Sequence, residues 1–134
     1  DCAGYYGWPC DTDARTAVYP RNRVTSNVHY RSGSFETHFT WRWIDGMANA
    51  APLGTAILGE PDPVLAVPSV NRKHYLDLGF AYGFGDSVTA RFGITNLLDT
   101  QPPMMADAVF DNNTEAGVYD VFGRSYYLRL SAEF

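Results

Sequence analysis

The C-terminal stretch of the chain alternates between two kinds of side chain, and this pattern constrains the fold more than any other feature. Within residues 122–134 nearly every second residue is apolar, and the residues between them are mostly polar or charged. The apolar row consists of Tyr126, Leu128, Leu130, Ala132 and Phe134. A period of two is typical of a β-strand, whose successive side chains point to opposite faces. The pattern predicts a strand with one apolar and one polar face that ends on an aromatic residue.

Four further segments show the same alternation, at residues 22–30, 35–43, 75–84 and 88–97. Each is about ten residues long, which is the length that a tilted strand needs to cross a bilayer. Strands of this kind need an apolar residue only at every second position. The sequence therefore predicts an all-β fold, a transmembrane antiparallel up-and-down β-barrel segment of about five strands.

Short and long connections alternate along the chain. The short ones join strands into hairpins at residues 22–44 and 75–97, followed by a final strand at 122–134. The long ones, at residues 1–21, 45–74 and 98–121, are rich in Gly, Pro and acidic residues. Short turns on one side and long loops on the other are typical of outer-membrane barrels, so the long segments are predicted to be extracellular loops.

The turns also predict how the strands pair. A two-residue turn at Ser32–Gly33 keeps the apolar rows in phase and sets His29 opposite Glu36. A three-residue turn at residues 85–87 pairs Phe84 with Val88, whereas a two-residue turn would set aromatic residues opposite polar ones.

Five strands cannot close a barrel, which needs about eight in a single chain. Left open, both edges would expose unpaired backbone groups to lipid. The segment is therefore expected to need the rest of its own barrel and outer-membrane lipid as partners. The chain opens at Asp1 with no basic or apolar leader, so an export signal is expected to have been removed or to lie upstream.

Composition and the missing motifs argue against three other classes of protein: helical membrane proteins, nucleic-acid-binding proteins and enzymes. The hydrophobic fraction is 46%, the mean hydropathy is -0.23, and no apolar run approaches the roughly 18 to 20 residues of a spanning helix. The net charge of -5 offers no basic patch for phosphates, so nucleic acid is not an expected partner. No nucleophile, base and carboxylate are placed as a catalytic group, and no cofactor motif is present. The chain is not expected to be an enzyme.

Cys2 and Cys10 lie close together in a turn-like segment rich in Gly, Tyr and Asp. Such a pair predicts a local disulfide formed in an oxidising compartment. A zinc site and free thiols are the alternatives, although no second Cys or His pair has the spacing to complete a zinc site.

Several polar and aromatic residues allow two interpretations. His29, Glu36 and His38 could form a metal or proton site, or a hydrogen-bonded group facing the lumen. His74 is expected to be a solvated loop residue. An acidic group in the last long loop could bind calcium or a cationic ligand, or remain solvated; its members are Asp107, Asp111, Glu115 and Asp120. Aromatic residues of the outward row could stack on sugars but are expected to contact lipid; they are Tyr30, Phe35, Trp41 and Trp43.

Two motifs near the C-terminus resemble those of one family. Asn96-Leu97-Leu98-Asp99 followed by Pro102-Pro103 is similar to the N-L-F-D-x-x-P-P signature of TonB-dependent outer-membrane receptors, with Leu98 in place of the commoner Phe. Tyr119-Asp120-Val121-Phe122-Gly123-Arg124 resembles the lead of that family into its final strand. The segment from Cys2 to Cys10 is similar to a Cys-paired extracellular loop in some members.

The resemblance implies a location in the outer membrane of a Gram-negative bacterium and a role in energised uptake of a siderophore, cobalamin, haem or carbohydrate. It implies a 22-stranded barrel occluded by a plug, with TonB as the energy-delivering partner. The five strands would be the last five of that barrel. The plug and the TonB box are absent from these residues, so the chain alone would not transport, and the substrate is not readable from it.

The final strand carries a second expectation. In outer-membrane proteins an alternating terminal strand that ends on an aromatic residue is the signal read by the barrel-assembly machinery, and the apolar row ending at Phe134 resembles it.

Two other classes of protein remain open. One is a secreted, disulfide-bearing β-sandwich or lectin-like binding module, which would bury four side chains against a second sheet of the same chain: Leu76, Leu78, Phe80 and Tyr82. The other is a passive porin segment.

Overall fold

The computed structural model describes residues 1–10, 18–85, 87–106 and 113–133. In chain order the elements are β1 (Tyr5–Tyr6), β2 (Val18–Tyr19), β3 (Arg23–Ser32), β4 (Phe35–Ile44), β5 (Met47–Asn49), α1 (Ala51–Leu58), β6 (Ser69–Val70), β7 (Lys73–Phe84), β8 (Val88–Thr95) and β9 (Ser125–Ala132). The described residues divide into two compact units. The prediction of an all-β class is confirmed, because strands dominate and α1 is the one helix of the described ranges.

The smaller unit comprises residues 24–43, 74–100 and 122–134, and it contains a five-stranded sheet in the order β3-β4-β7-β8-β9. These are the five long strands that alternation predicts, and each neighbours the next long strand along the chain. The register of the second hairpin is confirmed: Phe84 pairs with Val88 and Phe80 with Phe92. β9 continues the sheet antiparallel to β8, with Leu128 opposite Phe92.

The first hairpin differs from the prediction by one position in its turn. β3 ends at Ser32 and β4 begins at Phe35, so the two turn residues are Gly33 and Ser34 rather than Ser32 and Gly33. Gly33 has φ +56, which a type II′ turn requires at its first central residue and which glycine adopts without steric cost. Moving the turn by one residue shifts the pairing of β3 with β4 by two residues. Because two is the period of a strand, the faces are unchanged.

That change also removes a predicted neighbour. Glu36 does not lie opposite His29; its carboxylate is 3.0 Å from the guanidinium of Arg31. Further along the hairpin the Thr40 hydroxyl donates to the side chain of Asn27 over 2.8 Å. Both contacts fit a hairpin that turns at Gly33 and Ser34.

The larger unit comprises residues 1–23, 44–73 and 101–121, in the parts that the structure describes. It contains a small sheet in the order β2-β1-β5-β6, in which β1 runs parallel to β5. The predicted long loops at residues 1–21 and 45–74 therefore contain regular structure. Most of the buried apolar side chains lie here, among them Tyr6, Val18, Met47, Val70, Met105 and Tyr119.

Helix α1 lies within the segment predicted as the loop 45–74. Pro52 stands in the first turn, where the missing N–H costs nothing, and the helix ends at Gly59 with φ +71. The ring of Trp8 packs against Gly54, the buried residue of α1, so a Cβ at that position would overlap the indole. Eight residues rich in Ala, Pro and Gly show too little periodicity to be recognised as a helix. No helix of the described residues has the length and apolarity to cross a membrane.

The buried Tyr6 predicts that the larger unit loses stability at alkaline pH. Its buried hydroxyl donates to the carbonyl of Val67 over 2.7 Å, and burial raises its pKa above the ordinary 10.0, an effect partly offset by Asn49. A raised pKa in the folded state favours the protonated phenol. The stabilisation is therefore complete below pH 10.0 and lost as the pH rises through the folded-state pKa.

We expect Tyr6→Phe to cost about 1 kcal/mol of folding stability at pH 7 and to weaken the alkaline loss. Thermal unfolding of the purified protein between pH 7 and 12 measures both effects. Tyr30→Phe is the control, because Tyr30 is 58% exposed. Identical alkaline transitions in the wild type and Tyr6→Phe would contradict the prediction.

Candidate functional site

The five-stranded sheet has two chemically distinct faces, which we call the apolar face and the polar face. The polar face carries every Asp, Glu, Lys and Arg of the five long strands; these are Arg23, Arg31, Glu36, Arg42, Lys73, Asp77, Arg91 and Arg129. The apolar face consists of the alternate residues and carries none of these charged types. Register and cross-strand contacts keep each row on one face across all five strands.

Many large side chains of the apolar face are exposed, whereas those of β4 and Leu76, Leu78 and Phe80 of β7 are half-buried. Tyr126, Leu128 and Leu130 of β9 have exposed fractions of 62%, 71% and 71%. On the other strands the exposed members are Val24, Val28, Tyr30, Tyr82, Phe84, Val88 and Phe92. A β-sandwich formed within these residues would bury this face, and the described side chains do not do so. Exposed apolar area of this extent marks a surface that contacts something other than water.

The final strand is shorter than predicted. β9 covers Ser125–Ala132, so residues 122–124 lie outside it, and Phe134 lies outside the described residues. The predicted row of Tyr126, Leu128, Leu130 and Ala132 is confirmed as one face of one strand, because each is paired with an apolar residue of β8. β9 has β8 as its sheet neighbour on one side, and it forms an edge of the sheet on the other.

Two glycines on the polar face are covered by rings. The imidazole of His38 lies against Gly79, and the phenol of Tyr127 lies against Gly93, so a Cβ at either glycine would overlap the ring. The rings leave no room for a larger residue at these two positions. An aromatic ring over a strand glycine shields backbone that glycine would otherwise leave exposed.

Further along the polar face, charges are paired near Tyr75. The guanidinium of Arg42 lies 3.5 Å from the carboxylate of Asp77 and 5.1 Å from the centre of the Tyr75 ring. Tyr75 is fully buried. The ion pair and the cation–π contact together hold the Arg42 guanidinium against the polar face.

A junction of hydrogen bonds connects the end of β8 to the chain that enters β9. Asn96 is fully buried, with φ +52. Its amide nitrogen donates to the carbonyl oxygens of Thr100 (3.0 Å) and Phe122 (3.3 Å), and its amide oxygen accepts from the Thr100 N–H (2.9 Å). Its backbone N–H donates to the Asp77 carboxylate over 2.8 Å. One asparagine therefore holds three separate parts of the chain.

Asp99 and Arg124 complete the junction. The Asp99 carboxylate accepts from the backbone N–H of Arg124 over 2.9 Å, and the Arg124 guanidinium donates to the carbonyl of Leu97 over 3.4 Å. Asp99 also has φ +52, a conformation that Asn and Asp tolerate better than most residues. Although 24 residues separate Asp99 and Arg124 in the chain, their contact sets where β9 begins.

The predicted motif residues thus fall into two groups. Asn96, Leu97, Asp99, Gly123 and Arg124 belong to the smaller unit, and all but Gly123 form hydrogen bonds of the junction. The others belong to the larger unit; they are Pro102, Pro103, Tyr119 and Asp120. Pro103 and Tyr119 are buried. Sequence reasoning missed three partners of Asn96, because nothing in their neighbouring residues indicates a contact with it. They are Asp77, Thr100 and Phe122.

The disulfide between Cys2 and Cys10 is confirmed, with Cα atoms 5.5 Å apart. The pair contributes to the lining of an open cavity of about 490 Å³ in the larger unit, together with Asp1, Tyr19 and Arg23. The zinc and free-thiol alternatives are excluded by the bond.

The histidines do not form a metal site in the described residues, where no group of three His, Cys, Asp or Glu side chains is close enough to hold an ion. The expectation for His74 is wrong. It lies within β7, its ring stacks on Trp41 at 5.9 Å, and its Nδ1 accepts from the indole N–H over 3.3 Å. Of the acidic group predicted as a calcium alternative, Asp107 and Asp111 lie outside the described residues.

Comparison with protein-family models, curated proteins and solved structures gave no match.

Proposed function

We propose that this chain is the C-terminal barrel wall of a TonB-dependent outer-membrane receptor, in which it supplies strands, extracellular loops and the assembly signal of a nutrient importer. The observation that carries the proposal is the exposed apolar face, which has no Asp, Glu, Lys or Arg on any of its five strands. Leaving a Leu or Phe side chain in water forgoes about 1.5–3 kcal/mol relative to burial. Lipid hydrocarbon would recover that energy.

The sheet edges support the same proposal. β3 and β9 are the outer strands of the sheet, and unpaired backbone groups at membrane depth cost several kcal/mol each. In the proposal both strands pair with further strands of the same barrel. The polar face then lines its interior, where water or protein can satisfy the charges of Arg42 and Asp77.

The junction supports the family assignment. Two residues of the motif that resembles the N-L-F-D signature, Asn96 and Asp99, form hydrogen bonds to the chain that leads into β9. A barrel whose last strand is recognised during assembly needs that strand to begin at a defined residue. Energised uptake and the plug and TonB partners follow from the family resemblance alone.

Spin labels along β9 test the orientation of its two faces. In the complete protein, reconstituted in vesicles, single cysteines at residues 126 to 131 would each carry a nitroxide. We expect high accessibility to oxygen and low accessibility to a water-soluble nickel chelate at Tyr126, Leu128 and Leu130. The opposite ranking is expected at Tyr127, Arg129 and Ser131. Equal nickel accessibility at all six positions would overturn the proposal.

Deletion of Phe134 tests the assembly signal. Without its terminal aromatic residue the complete protein should reach the outer membrane at a lower level, because the signal is read from the end of the strand. The yield of heat-modifiable barrel in outer-membrane fractions measures the effect. Phe134→Tyr is the control and should keep the yield, whereas an undiminished yield after deletion would argue against a signal at this end.

A further inference from the structure

We propose that Arg91 and Arg129 on the polar face form a seat for a carboxylate side chain of an acidic polypeptide segment that lies inside the barrel. The inference rests on the proposed function, because it needs an enclosed interior. It goes further by naming the residues and the chemistry of one interior contact.

The two arginines are direct partners in the β8–β9 ladder. Side chains opposite each other in an antiparallel pair have Cβ atoms about 5 Å apart, and like charges in that arrangement destabilise the sheet. No ion pair is formed by Arg91 or Arg129 with the residues that the structure describes. An anion held between the two guanidinium groups would offset that repulsion.

The charges of the polar face do not provide that anion. Six basic and two acidic side chains of the five strands leave this face a formal net charge of +4, although the chain as a whole carries -5. Glu36 is paired with Arg31 and Asp77 with Arg42. Both carboxylates of the face are therefore engaged, and a negative group for Arg91 and Arg129 must come from elsewhere.

Beside Arg91 the polar face has a depression of about 280 Å³ with a polar lining. Ala81 and Gly83 contribute to it, together with Thr89, Arg31 and Glu36. A Cβ built on Gly83 would meet no atom closer than 3.8 Å, so the position is open rather than filled by a ring as at Gly79. Small residues beside Arg91 allow another backbone to approach closely while its carboxylate reaches the guanidinium groups of Arg91 and its ladder partner Arg129.

Screening of exposed charges by water favours a polypeptide segment over a free anion as the occupant of this site. A small anion on this open face would stay hydrated, and exposed ion pairs contribute little. A segment that covers the depression excludes water, which strengthens the pairing, and a guanidinium can hold a carboxylate through two parallel hydrogen bonds. A covering acidic segment is therefore the occupant that the site can hold.

Photo-crosslinking in the complete protein, in native outer membranes, tests the inference. A benzoylphenylalanine at residue 81 should crosslink within the same polypeptide, to a peptide with an Asp or Glu near the attachment point. The same probe at residue 82, on the apolar face, should give lipid adducts and no such peptide. An assembled barrel that gives no intramolecular crosslink from residue 81 overturns the inference, as does a crosslinked peptide that lacks acidic residues.

Charge reversal supplies a second arm. Arg91→Glu combined with Arg129→Glu should lower the crosslink yield from residue 81 about tenfold, whereas Arg91→Lys with Arg129→Lys should largely keep it. An unchanged yield in the reversed variant overturns the inference even where the crosslink exists. Failure of the proposed function is recognised separately, since the protein would then be missing from outer membranes and would not show heat-modifiable mobility.

Discussion

Asn96→Ala is expected to destabilise the folded protein by roughly 3 kcal/mol or more. The change leaves the Thr100 N–H and the carbonyls of Thr100 and Phe122 without their side-chain partner, and each unsatisfied buried group costs about 1–3 kcal/mol. Alanine at φ +52 adds a backbone cost of about 1 kcal/mol. Denaturant unfolding of the complete protein in detergent, followed by its heat-modifiable mobility, measures the loss.

Asn113 offers a matched control for that change. It is also an asparagine with positive φ, at +56, but it is exposed. Asn113→Ala should show the backbone cost alone, about 1 kcal/mol. Asn96→Gly relieves the backbone and removes the side-chain bonds, so it should fall between wild type and Asn96→Ala. Equal losses for Asn96→Ala and Asn113→Ala would mean that the buried amide does not hold the junction.

A second large effect is expected from Val28→Arg. Val28 lies near the middle of β3 on the apolar face and is 56% exposed. If that face contacts hydrocarbon, an arginine near the bilayer midplane costs about 2–4 kcal/mol. The level of folded protein in outer-membrane fractions should fall accordingly.

His29→Arg is the control for Val28→Arg. His29 is the next residue of the same strand and points to the polar face, so an arginine there enters the interior and should change the folded level little. Comparing the two variants removes effects of charge and strand position from the result. Equal tolerance of both substitutions would indicate that water covers both faces, which contradicts a barrel wall.

Much of the sheet was predictable because the decisive signal is local. Whether Phe92 and Leu128 share a face depends on their parity within their own strands, which the sequence displays directly. The three-residue turn at residues 85–87 followed from the same parity, since only an odd spacing sets Phe84 opposite Val88. The prediction for the first turn was wrong by one residue because Ser32–Gly33 and Gly33–Ser34 preserve parity equally well.

The contacts that build the candidate site were harder to predict from the sequence. The motif around Asn96 resembles a family signature, but its role depends on Phe122, which is 26 residues away. His74 was predicted to be solvated because its sequence neighbours are basic, and its position was decided instead by Trp41. The helix Ala51–Leu58 was missed because eight residues with Pro and Gly give no clear period.

Alternation along the chain specified the five long strands and which side chains share a face, because it is a property of adjacent residues and needs no distant partner. Tertiary structure alone decided the turn at Gly33, the hydrogen bonds of Asn96, and the pairing that sets Arg91 opposite Arg129. Those features depend on which distant backbone groups meet. Several pairings satisfy the same alternation, and the choice among them is made by hydrogen bonds and packing that form only when the chain folds.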